Sequence, residues 1–97
     1  MKSKPPSKLS PSARKLWRSL SEELDLDGGG YLMLEILVEN YDRRLQARET
    51  IAKNGAVVKD RWQQDKPSPW VAIERDATLA LQRAYHALGL DLEPNEQ

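Results

Sequence analysis

Residues 31–53 contain neither proline nor glycine, and are bracketed by Gly28-Gly29-Gly30 on one side and Asn54-Gly55 on the other. Such a run reads as one long helix with a stop signal at its end. At 1.5 Å per residue it spans roughly 35 Å, long for so short a chain. Placed at 100° per residue, its apolar side chains fall into two stripes. Leu34, Val38, Tyr41, Leu45 and Ala52 make the first; Met33, Ile36, Leu37, Ala47 and Ile51 make the second. A helix apolar around more than half its circumference must be covered on two sides. With 97 residues in all, few other elements remain to cover both, so the second stripe is the expected face for self-association.

The flanking segments carry their own helix signals. Ser10-Pro11 places a hydroxyl at an N-cap and proline at the first helical position, where its missing N–H costs nothing. Ala13, Leu16, Trp17, Leu20 and Leu24 follow at helical spacing, with Arg14, Lys15 and Arg18 on the other side. The three glycines read as a flexible break after this helix. Ser68-Pro69 repeats the start signal for a third helix, with Trp70, Ile73, Ala77, Leu81, Ala84 and Leu88 as its core stripe and Gly89 as its end. Leu79 falls on the opposite face and is expected to touch a partner. Between the second and third helices, Ala56 to Trp62 reads as a short strand and Gln63 to Lys66 as a weak hairpin partner. The expected fold is therefore mostly α, with three helices (about 10–25, 31–53 and 69–88), a short β-hairpin or extended segment at 56–66, and a helical oligomeric assembly. Residues 1–8 form a disordered basic arm, 9–90 one helical domain and 91–97 an acidic tail.

A formal net charge of zero conceals a strong segregation. Residues 1–18 carry six bases and no acid, residues 19–42 seven acids and no base. Residues 43–66 carry seven bases against three acids, and residues 67–97 two against five. A neutral chain can thus bind a polyanion locally through its basic arm. Lys2, Lys4 and Lys8 on the arm, with Arg14, Lys15 and Arg18 on one helix face, suit contacts to phosphates, which need only positive charge within reach. Arg18 is expected to be partly engaged by Glu22 one turn on. A helix-turn-helix built from the first two helices fails on charge, since Glu35, Glu39 and Asp42 open the helix that would enter the groove. The plain alternative for the arm is a solvated tail on a helical protein–protein adaptor.

Catalytic and metal-binding patterns are missing. With no cysteine and a single histidine, His86, thiolate chemistry and two-His zinc sites within one chain are excluded. Gly28-Gly29-Gly30 lacks the lysine and hydroxyl of a nucleotide-binding loop. Asp25 and Asp27 mimic the opening of a calcium loop, but Ile36 stands where the twelfth-position glutamate is required. His86 has no acid or hydroxyl spaced to form a triad. No apolar run approaches the ~18 residues of a membrane span, and the first eight residues have no apolar core of a signal peptide. The expectation is a cytoplasmic protein that is not an enzyme, with no cofactor, no metal and no membrane partner.

At Leu9-Ser10-Pro11 followed by Trp17, the chain resembles the phage terminase small-subunit family, in its short branch. The stronger match runs from Leu34 to Arg48, with the pattern L-x-x-L-V-x-x-Y-D-R, and through Ile51 to Val58, I-A-K-N-G-A-V-V. It continues in Lys66-Pro67-Ser68-Pro69, in Ile73-Glu74-Arg75-Asp76-Ala77 and in Ala87-Leu88-Gly89-Leu90. Ser68 stands where the family often has histidine, which touches a helix cap. The resemblance implies a non-catalytic subunit that binds double-stranded viral DNA in the cytoplasm of the bacterial host. It further implies a homo-oligomeric ring that recruits the large terminase subunit, which carries the ATPase and nuclease, to start packaging. On that reading, Lys2, Lys4, Lys8, Arg14, Lys15 and Arg18 contact DNA, and Met33, Ile36, Leu37, Ala47, Ile51 and Leu79 form the interface between copies.

Overall fold

The computed structural model describes residues 4–90 and contains three helices and one small antiparallel sheet: α1 (Pro11–Glu23), α2 (Gly28–Asn54), β1 (Val57–Lys59), β2 (Asp65–Pro67) and α3 (Pro69–Ala87). Both Ser-Pro signals act as read. The Ser10 hydroxyl accepts from the Ala13 N–H at 3.1 Å, and the Ser68 hydroxyl from the Trp70 N–H at 3.2 Å. α3 closes as a Schellman turn. Gly89, at φ +76°, donates to the His86 carbonyl, and Leu90 donates to the Tyr85 carbonyl at 2.9 Å, which satisfies carbonyls that the helix end leaves free.

The glycine triplet is not a break. It forms the first turn of α2, capped by Asp27, whose carboxylate accepts from the Gly30 N–H at 2.8 Å. The first N–H groups of any helix lack intrahelical partners, so a cap there offsets much of what glycine loses in propensity. A Cβ on Gly30 would lie 2.9 Å from Leu26 Cδ2 and 3.2 Å from Leu26 Cβ. Glycine thus lets the incoming chain fold tightly over the start of α2.

α2 is the spine, and both other helices pack on it antiparallel. Ser10 at the start of α1 bonds Asp42 in the middle of α2, while Trp17 meets Tyr31 near its start with ring centroids 5.9 Å apart. On the other flank, Arg44 Nε donates to Thr78 Oγ1 at 2.9 Å and Arg48 approaches Glu74 at 3.9 Å, so the second half of α2 faces the first half of α3. The core joins Leu9, Ala13, Trp17 and Leu20 to Leu34, Leu37 and Val38 of α2 and to Ala84 of α3. Leu34, Leu37 and Val38 are completely buried, each contributing about 1.5–3 kcal/mol of apolar burial. Ala47 and Ala77 are buried as well; their small side chains suit close helix approach. Tyr85 packs against the core, and its burial, with Tyr41 and Glu23 adding, pushes its hydroxyl above the usual tyrosine range.

The hairpin pairs Val57 with Pro67, Val58 with Lys66 and Lys59 with Asp65. It spans as many residues as the 56–66 reading, shifted by one, but its first strand ends at Lys59 rather than Trp62, and its loop runs from residue 60 to residue 64. Pro67 sits at the strand end opposite Val57, where a missing donor is tolerated.

Candidate nucleic-acid interface

The roll of α1 is fixed by Ala13, Trp17 and Leu20, all turned into the core. At 100° per residue this sends Lys15 and Arg18 outward, and both are exposed. Three residues apart, they stand side by side about one turn apart. Arg14 is half-buried and holds the Leu9 carbonyl through Nη1 at 2.6 Å, which commits one of its five donors. Lys4 and Lys8 are exposed; Lys2 lies outside the described residues. Arg18 and Glu22 form no ion pair within 4 Å among the described residues, so the expected internal neutralisation of Arg18 is absent.

The segment leading into α1 does not stand away from the protein. Ser7 and Lys8 line an open concavity with Glu39, Asp42, Arg43 and Glu49 of α2, and Pro5 and Pro6 are half-buried. Ser10 anchors this segment: its N–H donates to Asp42 Oδ2 at 2.8 Å and its hydroxyl to Asp42 Oδ1 at 2.6 Å. At the opposite end of α1, Glu22, Glu23, Asp25 and Asp27 lie around the α1–α2 turn, all four exposed. The molecule therefore carries an acidic end at that turn and exposed Lys15 and Arg18 on the outer face of α1, while Lys8 lies among Glu39, Asp42 and Glu49. A duplex would be attracted to the exposed pair and repelled from the acidic end.

The residues expected at an interface between copies separate into three groups. Leu37 and Ala47 are fully buried within the chain, so neither is available to a second copy in this fold. The reason is geometric: α1 and α3 pack on α2 from two flanks, and Leu37 and Ala47 of the second stripe fall under that cover. Met33 and Ile51 stand apart from these two: Ile51 is half-buried, and Met33 packs against the core from its edge. Ile36 and Leu79 are exposed, at 36% and 43%. Leu79 lines a shallow, largely apolar depression with Gln82, Arg83, His86 and Ala87 on the outer face of α3.

The β1–β2 loop holds a feature that the sequence pattern does not announce. Trp62, read as a strand end, lies instead in the loop and is 70% exposed. The Arg61 guanidinium stacks over its ring at 5.0 Å. Asp60 fixes the loop by accepting from the N–H groups of Trp62 and Gln64, at 2.8 and 2.9 Å. The available signal is the Asp60 side chain two residues before Trp62, the spacing of an Asx turn.

No helix among the described residues is long and apolar enough to cross a membrane. A family model described as phage terminase, small subunit, matches residues 13–95, which takes in α1 from its third residue, α2, the hairpin and α3. No curated protein and no solved structure matches the chain.

Proposed function

Because the chain belongs to the phage terminase small-subunit family, we propose that it binds double-stranded viral DNA and recruits the large terminase subunit to begin genome packaging, itself performing no catalysis. The family gives the role in phage DNA packaging. The observation that carries the DNA-binding step is the exposed Lys15–Arg18 pair on α1, without an ion-pair partner among the described residues and continued by Lys4 and Lys8. Lys2 extends the same basic run in sequence, and Arg14 supplies its remaining donors. The contacts are to phosphates: the face presents charge rather than a set of polar side chains arranged to read base edges.

Several copies make such a contact useful. One basic face with five or six charges binds at roughly the non-specific level. Repeated on a ring, the same faces raise the effective concentration and add avidity of ~100-fold or more. Ile36 and Leu79, exposed and apolar, are the residues through which neighbouring copies meet, with Met33 and Ile51 at the margin. The acidic end around Glu22 to Asp27 orients the duplex toward the basic face. The site of action is the host cytoplasm, where the large subunit and procapsid are assembled.

The test is duplex retardation across a salt series. Lys15→Ala with Arg18→Ala should weaken binding at every sequence alike and lower the salt slope by about two. A wild-type chain that fails to retard duplex at low salt, with or without the large subunit, rejects the DNA-binding reading and favours an adaptor.

A further inference from the structure

We propose that the tip of the β1–β2 hairpin is a second duplex-contacting site, with Trp62 seated in a groove of double-stranded DNA and Arg61 and Lys66 on the flanking phosphates. The proposal rests on the DNA-binding reading above and adds a site remote from the α1 face.

Three observations converge on the tip. First, Trp62 is the most exposed large apolar side chain among the described residues, at 70%, and it is held there by a structured loop. Asp60 accepts two loop N–H groups, Gln63 sits at φ +63°, and the Asp60 N–H closes the loop on the Gln64 carbonyl at 3.0 Å. A tryptophan presented on a fixed loop loses little further freedom on binding.

Second, residues 59–66 carry three bases against two acids, so the hairpin is weakly cationic. Asp65 is neutralised by Lys59 at 2.7 Å, and the Asp60 carboxylate faces the loop N–H groups. Arg61 in the loop and Lys66 on β2 have no ion-pair partner among the described residues. The loop therefore offers a guanidinium beside an aromatic ring, with Lys66 behind it on β2: charge for phosphates and an apolar side chain for base edges in a groove. A protein partner of matching acidic character is the competing occupant, but nothing in the apolar makeup of the tip beyond Trp62 and Val57 gives it a packed interface.

Third, the shape fits. Both strands are solvent-exposed on both faces except for half-buried Val58, and a two-stranded ribbon is narrow enough to enter a major groove of about 12 Å. The hairpin leaves α2 at Gly55, thirteen residues and roughly 20 Å beyond Asp42, where α1 begins to cover the spine. The tip and the α1 basic face are thus separate footholds.

The experiment uses the full chain and a short mixed-sequence duplex, reading both affinity and acrylamide quenching of tryptophan fluorescence. Trp17 is buried and Trp70 half-buried, so Trp62 dominates the quenchable signal, and Trp62→Phe identifies it by difference. The expected result is that duplex protects Trp62 from quenching and that Trp62→Ala weakens binding about tenfold through lost apolar burial, with helicity unchanged. Arg61→Gln and Lys66→Gln should each lower the salt slope by about one. If wild-type protein binds duplex while Trp62 stays equally quenchable and Trp62→Ala binds normally, the hairpin site is overturned and the α1 site stands. If Trp62→Ala alters the mass of the assembly in parallel with its affinity, the tip is a contact between copies and the proposal falls. Absence of any wild-type binding at low salt removes the DNA-binding reading itself.

Discussion

Ser10, the N-cap of α1, and Asp42, in the middle of α2, are joined twice, through the Ser10 hydroxyl at 2.6 Å and its backbone N–H at 2.8 Å. One carboxylate thereby holds both the helix cap and the position at which the basic segment leaves the core. The Ser10 hydroxyl at the same time caps Ala13, so the two roles are coupled. Asp42→Ala should cost about 1–2 kcal/mol, the range for partly exposed hydrogen bonds to a charged group. Ser10→Ala should cost about 1 kcal/mol as a lost cap. The double variant should be less destabilised than the sum by at least about 0.5 kcal/mol, since the residues share one interaction. Urea unfolding of the four proteins measures it, and strict additivity would contradict the coupling.

The glycines of α2 and α3 are expected to respond in different directions. A Cβ added at Gly28 would meet nothing within 4 Å, and its φ is not positive. Gly28→Ala should therefore stabilise by about 0.5–1 kcal/mol, through helix propensity and a less free unfolded chain. Gly30→Ala sets a methyl 3.2 Å from Leu26 Cβ, which cannot rotate away as Leu26 Cδ2 can, and should lower stability by about 1 kcal/mol despite the same propensity gain. Gly89→Ala places a side chain at φ +76° and should cost about 1 kcal/mol. Thermal midpoints of the three variants give the order directly.

Tyr85 links stability to alkaline pH. Its hydroxyl is pushed above the ordinary tyrosine value of 10.0 by burial first, then by Tyr41 and Glu23. The folded state thus favours the protonated form. The associated stability is complete below pH 10 and is lost as pH rises through the raised folded-state value, because the unfolded chain ionises first. Tyr85→Phe should flatten the alkaline fall in stability while leaving neutral behaviour similar. A wild-type alkaline limb that Tyr85→Phe leaves unchanged would assign that limb to other groups.

Local chemistry is legible in the sequence, and coverage is not. Ser10-Pro11, Ser68-Pro69 and Gly89 act within a few residues, so their reading needs no tertiary knowledge. The glycine triplet reads wrongly as a break because the competing signal, Asp27 as a cap, acts through a single hydrogen bond to Gly30, whereas three glycines in a row suggest freedom. The two stripes of α2 are visible, yet their partners are not: pattern shows that Leu37 must be covered, not whether α1, α3 or another copy covers it. Trp62 is the converse case, an apolar residue placed outside by a loop whose end points pair in β1 and β2. Of the basic site, Lys15 and Arg18 follow from the roll of α1, while the Arg14 contact to the Leu9 carbonyl depends on a turn that spacing does not encode.

Neighbouring positions on α2 separate an interface from a core. Ile36 is 36% exposed and Leu37 is fully buried, although they are adjacent and similar in size. Leu37→Asp places a charge in the core and should unfold the chain, since an unpaired buried carboxylate costs several kcal/mol. Ile36→Asp leaves the charge in solvent in an isolated copy and should preserve helicity and cooperative melting. In an oligomer whose neighbours meet over Ile36, the same change buries a charge between copies and should lower the assembly mass at micromolar concentration. Leu79→Ser, from the apolar depression on α3, should act in the same direction but more weakly, as it removes apolar contact without adding charge. Light scattering beside circular dichroism reads both quantities on each variant. An Ile36→Asp protein with the wild-type mass and melting would exclude Ile36 from the interface, and a wild-type protein of monomeric mass would exclude the ring altogether.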